Sequence, residues 1–320
     1  MALRLSVLDQ SVSLAGSSED AAIRDTLALA EHCERLGYAR FWLSEHHGLP
    51  TIVGSAPEIL MAAIAARTSA IRIGSAGVML PHYSALKVAE QFRVLEALAP
   101  GRIDLGVGRA PGGDMRTALA LNPDAALAAE DFPAQVRDLQ AWTSAGRHAG
   151  ITAHPRGPHA PEIWILGSSD YGAQLAAHFG LPYAFAYFFS DGRGVEEALH
   201  LYRTNYRPSA DHPKPKATIC VWALAADSET EARHLMSTRA HWRVGREQGI
   251  HAALLPPDVA AAQSYSAAEQ GIIDRLRSKS IVGTADQVAT RLRELAEQLA
   301  LDELVIVTWT FDAMPRHRSY

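Results

Sequence analysis

Residues 37–47, GYARFWLSEHH, combine the end of a helix, a strand and a polar run. A helical pattern begins at a capping Ser18 and stops at Gly37, because glycine readily adopts the left-handed conformation that ends a helix. Residues 41–44 are aromatic and apolar, as in a buried strand. A helix that stops directly before such a strand is typical of repeated βα units with a parallel sheet.

The same alternation extends along the chain, and Thr284 and Gln287 stand at the spacing of a capping box before the last helix. Eight strands are predicted, at residues 3–8, 41–44, 71–79, 103–107, 163–166, 183–186, 218–225 and 303–308. With no Pro-rich or Gly-Ser-rich linker between them, they favour one (β/α)8 TIM-barrel domain over 1–320 rather than an open doubly wound sheet. Residues at about 249–280 interrupt the alternation and are interpreted as an inserted segment that could act as a lid.

Composition argues for a small-molecule enzyme of the cytoplasm. The net charge of −5 comes from interspersed acids and bases, so neither nucleic acid nor an anionic membrane is an expected partner. The apolar stretches are too short for a membrane span, and the N-terminus lacks the pattern of a signal peptide. The two cysteines, Cys33 and Cys220, are expected to be buried free thiols.

The run Glu45-His46-His47 follows the second strand, and functional groups of such barrels sit at the C-terminal ends of strands. Histidine exchanges protons near neutral pH, so it suits general acid or base catalysis. Adjacent residues of an extended chain point to opposite faces, which argues against a metal site formed by all three. The residues alone leave open whether the histidines merely satisfy hydrogen bonds in a loop.

Small residues lie within the third strand, where Ser75, Ala76 and Gly77 would form part of the barrel wall. Such residues allow a flat ligand to approach the backbone closely. The alternative is a bulge or tight packing at the rim of the barrel.

Two further strand ends have the character of anion sites. Residues 106–113 (GVGRAPGG) offer backbone amides, Gly108 and the guanidinium of Arg109, although Pro111 rules out a GxGxxG fingerprint. Residues 167–172 (GSSDYG) place Gly167, Ser168 and Ser169 at the start of a helix, a natural phosphate seat. Simple N-capping by Ser169 or Asp170 is the alternative, and Asp170 should point away from any phosphate.

These runs together resemble the bacterial luciferase-like family of flavin-dependent monooxygenases, over almost the whole chain. The resemblance is carried by residues 41–47 (FWLSEHH), 74–81 (GSAGVMLP), 100–106 (PGRIDLG), 179–182 (FGLP) and 282–284 (VGT). It implies a β/α barrel that binds FMN across the C-terminal ends of the strands. The luminous members have a cysteine where this chain has Gly108 and a glutamate where it has Ser168, so a non-luminous member is expected.

The resemblance also implies residue roles. The family's important histidine falls on His46, with Glu45 and His47 in supporting positions. Its non-proline cis peptide falls at Ala76-Gly77, next to Ser75. Its phosphate-binding groups fall on Arg109, beside Gly108, and on the turn formed by Gly167, Ser168 and Ser169.

The expected reaction is oxidation of a small organic substrate by O2 through a flavin C4a-peroxide, with FMNH2 delivered by a separate flavin reductase. Two alternatives keep the same barrel: a deazaflavin-dependent dehydrogenase or reductase, and a non-catalytic flavin-binding protein. The resemblance further implies a homodimer. The aromatic residues Tyr183, Phe185, Tyr187, Phe188 and Phe189 could line a substrate pocket or belong to the strand core.

Overall fold

The computed structural model describes residues 3–109, 113–144 and 147–320. Its strands, in chain order, are β1 (Arg4–Asp9), β2 (Arg40–Leu43), β3 (Arg72–Met79), β4 (Ile103–Gly108), β5 (Arg147–His148), β6 (Ile151–Thr152), β7 (Glu162–Gly167), β8 (Tyr183–Phe185), β9 (Ala217–Ala226), β10 (Ile281–Thr284) and β11 (Glu303–Val307). All eight predicted strands are present, each within one residue of its predicted bounds.

Eight of these strands form a closed parallel barrel, which confirms the predicted TIM-barrel fold. The order is β1-β2-β3-β4-β7-β8-β9-β11, and β11 pairs with β1 to close the ring. The remaining three strands were not predicted; β5 and β6 have only two residues each, and β10 directly precedes the helix whose capping box was recognised. The strands β5 and β6 form a small antiparallel hairpin, and β10 extends the sheet outside the ring by pairing with β9.

Helices separate the strands. They are α1 (Glu19–Arg35), α2 (Pro57–Ala65), α3 (Ala85–Leu98), α4 (Met115–Leu121), α5 (Ala125–Glu130), α6 (Phe132–Ser144), α7 (Asp170–Phe179), α8 (Tyr187–Ser190), α9 (Val195–Thr204), α10 (Glu229–Glu247), α11 (Pro257–Ala261), α12 (Ala267–Lys279), α13 (Ala285–Gln298) and α14 (Ala313–Ser319). The predicted end signals are confirmed: Ser18 caps α1, Gly37 follows that helix at φ +81°, and Thr284 forms a capping box with Gln287.

Strand alternation divides the buried residues into two layers. On β2, Phe41 and Leu43 face outward and join the layer packed beneath the helices, whereas Trp42 faces into the barrel. The interior layer also contains Trp164 of β7, whose ring lies 5.1 Å from that of Trp42. Cys220 of β9 belongs to the same layer and is a buried free thiol, as predicted.

A buried ion network crosses the interior toward the N-terminal ends of the strands. Arg40 of β2 donates to Asp104 of β4 at 2.7 Å, to Glu162 of β7 at 3.0 Å and to Glu303 of β11 at 2.8 Å. Burial acts to lower the pKa of Arg40, but the three carboxylates together raise it above its usual value. One guanidinium therefore joins four strands of the barrel.

No helix among the described residues is long and apolar enough to cross a membrane. The inserted segment predicted at about 249–280 contains α11 and α12, both of which pack on α10. Near its start, Leu254 forms a β-bridge with Leu14. On α12, the side chains of Ile273 and Leu276 are buried in the same hydrophobic cluster as Trp42 and Trp164.

Replacement of Arg40 should destabilise the barrel strongly. Arg40→Met removes the buried counter-charge that Asp104, Glu162 and Glu303 share and leaves Asp104 with Arg72 alone, so the free energy of unfolding should fall by about 3–5 kcal/mol. Urea unfolding would measure it. The matched control is Arg233→Gln, which breaks an exposed pair with Glu229 and should cost at most about 1 kcal/mol. Equal losses in the two variants would contradict a structural role for the network.

Candidate active site

A cleft of about 390 Å³ opens at the C-terminal ends of the barrel strands. Most of its lining is apolar, with polar groups concentrated at a few points. The lining residues are Leu8, Gln10, Trp42, Ser44, Glu45, His46, Ala76, Gly77, Met79, Gly108, Arg109, Phe132, Leu166, Gly167, Ser168, Ser169, Tyr171, Gly172, Ala184, Phe185, Ala186, Phe188, Phe189, Cys220 and Val305. Its volume and its position in the barrel are those of a ligand site.

Glu45 is a fully bonded carboxylate at the edge of this cleft and is only 1% exposed. It accepts hydrogen bonds from His47 Nε2 at 2.7 Å, from the Tyr83 hydroxyl at 2.7 Å and from the Met79 amide at 3.0 Å. Burial and then the bond to Glu45 raise the pKa of Tyr83 above its usual value. Glu45 therefore ties the loop after β2 to the end of β3.

His46 takes no part in the hydrogen bonds that join Glu45 to His47, Tyr83 and Met79. It lines the cleft, and its Nδ1 lies 3.1 Å from the Ser44 hydroxyl. Burial lowers its pKa to about 4; Glu45 partly opposes this, while His47 and Arg246 add to it. The imidazole is therefore neutral at pH 7, and no described residue hydrogen-bonds to its Nε2.

No group of three or more His, Cys, Asp or Glu side chains that could hold a metal ion occurs in the described ranges. Within the run itself, Glu45 and His47 bond to each other and His46 bonds to Ser44. The three side chains thus do not converge on one point.

The small-residue wall is present at the end of β3, and the Ala76-Gly77 peptide is cis, as predicted. Ala76 and Gly77 line the cleft, whereas Ser75 is fully buried and donates to the Gly106 carbonyl at 2.8 Å. A Cβ at Gly77 would come within 2.7 Å of that carbonyl. The pairing of β3 with β4 thus has both tight packing and a bulge, and Ala76 and Gly77 still expose their backbone to the cleft. Of the three residues predicted for this wall, Ser75 does not line the cleft.

The predicted anion groups line the same cleft, and Arg109 contacts the first turn of α7 that follows the two serines. Arg109 lines it with its guanidinium carbon 4.1 Å from the centre of the Tyr171 ring. Ser168 and Ser169 line it at the start of α7, beside Gly167. Ser169 occupies the N-cap position but forms no side-chain capping bond, so the simple capping alternative does not describe this turn.

Two residues that flank the predicted anion-binding groups, Asp170 and Gly108, leave room for a ligand. Asp170 is exposed and does not line the cleft, as expected. A Cβ at Gly108 would meet no atom within 4 Å, so the space before this strand end is open. Residues 110–112 of the predicted clamp lie outside the described residues.

The aromatic residues whose role stayed open in the sequence divide between core and cleft. Phe188 and Phe189 line the cleft, Tyr183 is fully buried in the layer beneath the helices, and Phe185 belongs to that same buried layer while also bordering the cleft. Tyr187 lies outside the cleft lining.

The sequence did not predict two residues of the site: Tyr83, which holds Glu45, and Trp42, which closes the cleft toward the barrel interior. Tyr83, which bonds to Glu45, belongs to no motif, and Trp42 gave no signal of its interior position beyond its place in a strand. The inserted segment at 249–280 contributes no residue to the cleft lining. Its action as a lid stays a prediction.

His46 should titrate far below an ordinary histidine. The unfolded chain takes up this proton near pH 6.5 and the folded chain only near pH 4, so the residue lowers stability increasingly as the pH falls through that window. Side-chain NMR of the histidines should show a midpoint near pH 4, assigned by the loss of that signal in His46→Gln. The variant should also lose less stability between pH 6.5 and 4 than the natural chain. A midpoint near 6.5 would show that burial does not control this group.

Comparison with solved structures supports the fold. Apo-MsnO8 superimposes with a TM-score of 0.93 at 36% identity, over 99% of this chain and 96% of that one. The oxygenating constituent of 3,6-diketocamphane monooxygenase from Pseudomonas putida, in complex with FMN, has a TM-score of 0.72 at 17% identity, over 100% and 96% of the chains. An F420-dependent secondary alcohol dehydrogenase has a TM-score of 0.67 at 14% identity, over 100% and 97%. The latter two likenesses show the fold alone.

Sequence comparison identifies the family. The family model described as luciferase-like monooxygenase matches residues 3–303. A luciferase-like monooxygenase of Escherichia coli K12 is 39% identical over 320 residues, covering 99% of this chain and 95% of its own length. The N-acetyl-S-alkylcysteine monooxygenase of Bacillus subtilis is 35% identical over 326 residues, covering 99% and 96%. The chain is therefore an enzyme that belongs to the luciferase-like monooxygenase family.

Proposed function

We propose that this enzyme is an FMN-dependent monooxygenase that oxidises a small organic substrate with O2 and with reduced FMN from a separate flavin reductase. One oxygen atom would enter the substrate and the other would leave as water, with the two electrons taken from reduced FMN. The observation that carries the proposal is the division of one cleft into a cationic end at Arg109 and an apolar remainder edged by a neutral His46.

The cationic end fits the phosphate of FMN. Arg109 is a permanent positive charge held against Tyr171, and a guanidinium suits phosphate oxygens. Ser168 and Ser169 offer hydroxyls beside the free amides at the start of α7, where the helix dipole favours an anion. The capping bond that Ser169 does not make leaves its hydroxyl available to such a ligand.

The rest of the cleft fits a flat ring system. The backbone of Ala76 and Gly77 forms one wall without large side chains, and Trp42 closes the floor. When bound there, FMN would supply the electrons and the oxygen-activating chemistry. The apolar lining would exclude water from the reacting groups.

His46 would manage the proton transfers of the reaction. Its Nδ1 is engaged by Ser44, which orients the ring, and its Nε2 is left for a reacting group. Because the imidazole is neutral at pH 7, it can accept a proton there and return it later. Glu45 and His47 would act indirectly, since their mutual bond holds the loop on which His46 stands.

We also propose that the enzyme works as a homodimer in the cytoplasm. Support comes from three exposed apolar side chains on the adjacent helices α2 and α3, namely Ile59, Val94 and Leu98, which are 67%, 48% and 60% exposed. Exposed apolar groups that lie together on one surface favour association with another protein surface.

Removal of the groups proposed to bind phosphate should weaken the binding of FMN but not that of riboflavin. Arg109→Gln and the double variant Ser168→Ala/Ser169→Ala should each raise the Kd for FMN by about tenfold or more, because charge-assisted bonds to phosphate are lost. Riboflavin, which lacks the phosphate, is the matched ligand, and its Kd should not change. Fluorescence titration with FMN, riboflavin and a deazaflavin would measure all three. Tight binding of the deazaflavin alone would instead favour the dehydrogenase alternative.

Loss of the His46 imidazole should abolish most of the catalysis but not cofactor binding. With a flavin reductase present, His46→Ala should lower substrate turnover by about 10² to 10⁴. N-acetyl-S-alkylcysteines are the first substrates to offer, because a relative is named for them. The matched control is His200→Ala on the exposed face of α9. Full activity of the His46 variant would contradict its role, and flavin binding with no oxidation of any substrate would support a non-catalytic protein.

A further inference from the structure

Three arginines follow one face of α10, at the spacing of successive helical turns: Arg239, Arg243 and Arg246. All three are at least partly buried, which is costly for a charge unless a partner compensates it. The side chain of Arg239 is deepest. It lies 4.2 Å over the Trp222 ring and bonds to the neutral Ser280 hydroxyl.

The two carboxylates nearest to these arginines, Asp191 and Glu247, form their ion pairs with Arg243. Arg243 donates to Asp191 at 3.1 Å and to Glu247 at 3.1 Å. Within the described part of the chain, no carboxylate lies within 4.0 Å of Arg246. The cluster therefore carries more positive charge than its surroundings neutralise.

Arg246 does not line the cleft itself but contacts Phe189, which does. Its guanidinium carbon lies 4.9 Å from the centre of the Phe189 ring and 5.7 Å from that of Trp242. Phe189 lines the cleft and is 52% exposed. Burial lowers the pKa of Arg246 and the charge of Arg243 lowers it further, whereas the more distant carboxylates of Glu247 and Asp191 oppose this in part. Arg246 in turn contributes to the low pKa of His46.

We propose that Arg246 binds a carboxylate of the substrate and thereby makes an organic acid with an apolar body the substrate class of this enzyme. A guanidinium backed by aromatic rings is weakly hydrated and presents two parallel donors that match a carboxylate. The apolar body of the acid would lie along Phe188 and Phe189 toward His46. The inference rests on the proposed function, because the cleft at His46 is taken as the reaction site.

The proposal predicts a preference for acids over their amides. The probes are alkanoates from hexanoate to decanoate, 3-phenylpropanoate and N-acetyl-S-alkylcysteines, each paired with its primary amide. Isothermal titration calorimetry would be run on the purified protein with and without FMN. At least one acid should bind about tenfold or more tightly than its amide, as expected for a charged hydrogen-bonded pair.

Variants assign this preference to one residue. Arg246→Gln should remove the difference between acid and amide, and Arg246→Lys should keep part of it because the charge remains. Arg233→Gln, an exposed position on the same helix, is the matched control and should keep the full preference. The Kd for FMN should be unchanged in every one of these variants.

Several results would overturn the proposal: no binding of any acid, equal binding of acids and amides, or a preference that survives in Arg246→Gln. A weaker affinity for FMN in that variant would also overturn it, since Arg246 would then serve the cofactor. If the protein bound no FMN but kept an acid preference that depends on Arg246, the proposed function would fail while the carboxylate site stood.

Discussion

The structure depends on one buried guanidinium. Arg40 joins β2 to carboxylates on β4, β7 and β11, and a charge buried this deeply, at 4% side-chain exposure, holds only with its partners in place. Two residues further along β2, the indole of Trp42 donates to Asp104 of the same network and fills the barrel interior. A Cβ at Gly74 would lie 2.6 Å from that indole, so the glycine of β3 follows from the same arrangement. The floor of the cleft thus rests on the ion network.

The upper end of β2 is held in a comparable way. Glu45 uses both carboxylate oxygens to hold a histidine of its own loop, the end of β3 and a tyrosine just beyond it. His46 stands between these bonded neighbours, and among the described residues Ser44 is its one side-chain hydrogen-bond partner. The carboxylate fixes the loop and burial lowers the pKa of His46, so in the proposed reaction positioning and proton transfer would fall to different residues of one run.

Charge divides the cleft into regions. Arg109 and the serines at the start of α7 line it at one place, and Arg246 of α10, which is not part of the lining, lies against the ring of Phe189 at another. Between them the lining is apolar. A cleft of this kind suits an anionic cofactor and, as proposed, an anionic substrate that shares an apolar middle region with it.

The sequence by itself determined the eight barrel strands and the end signals of the first and last long helices, because these depend on local periodicity and capping. By chemistry and family resemblance it also predicted the cis peptide at Ala76-Gly77 and a place at the strand ends for His46, Arg109, Ser168 and Ser169, which all line the cleft. Only the tertiary structure decided that Ser75 turns behind the wall, that Tyr83 bonds to Glu45 and which charges meet Arg40. These pairings join residues far apart in the chain, and periodicity carries no information about which strand lies opposite which.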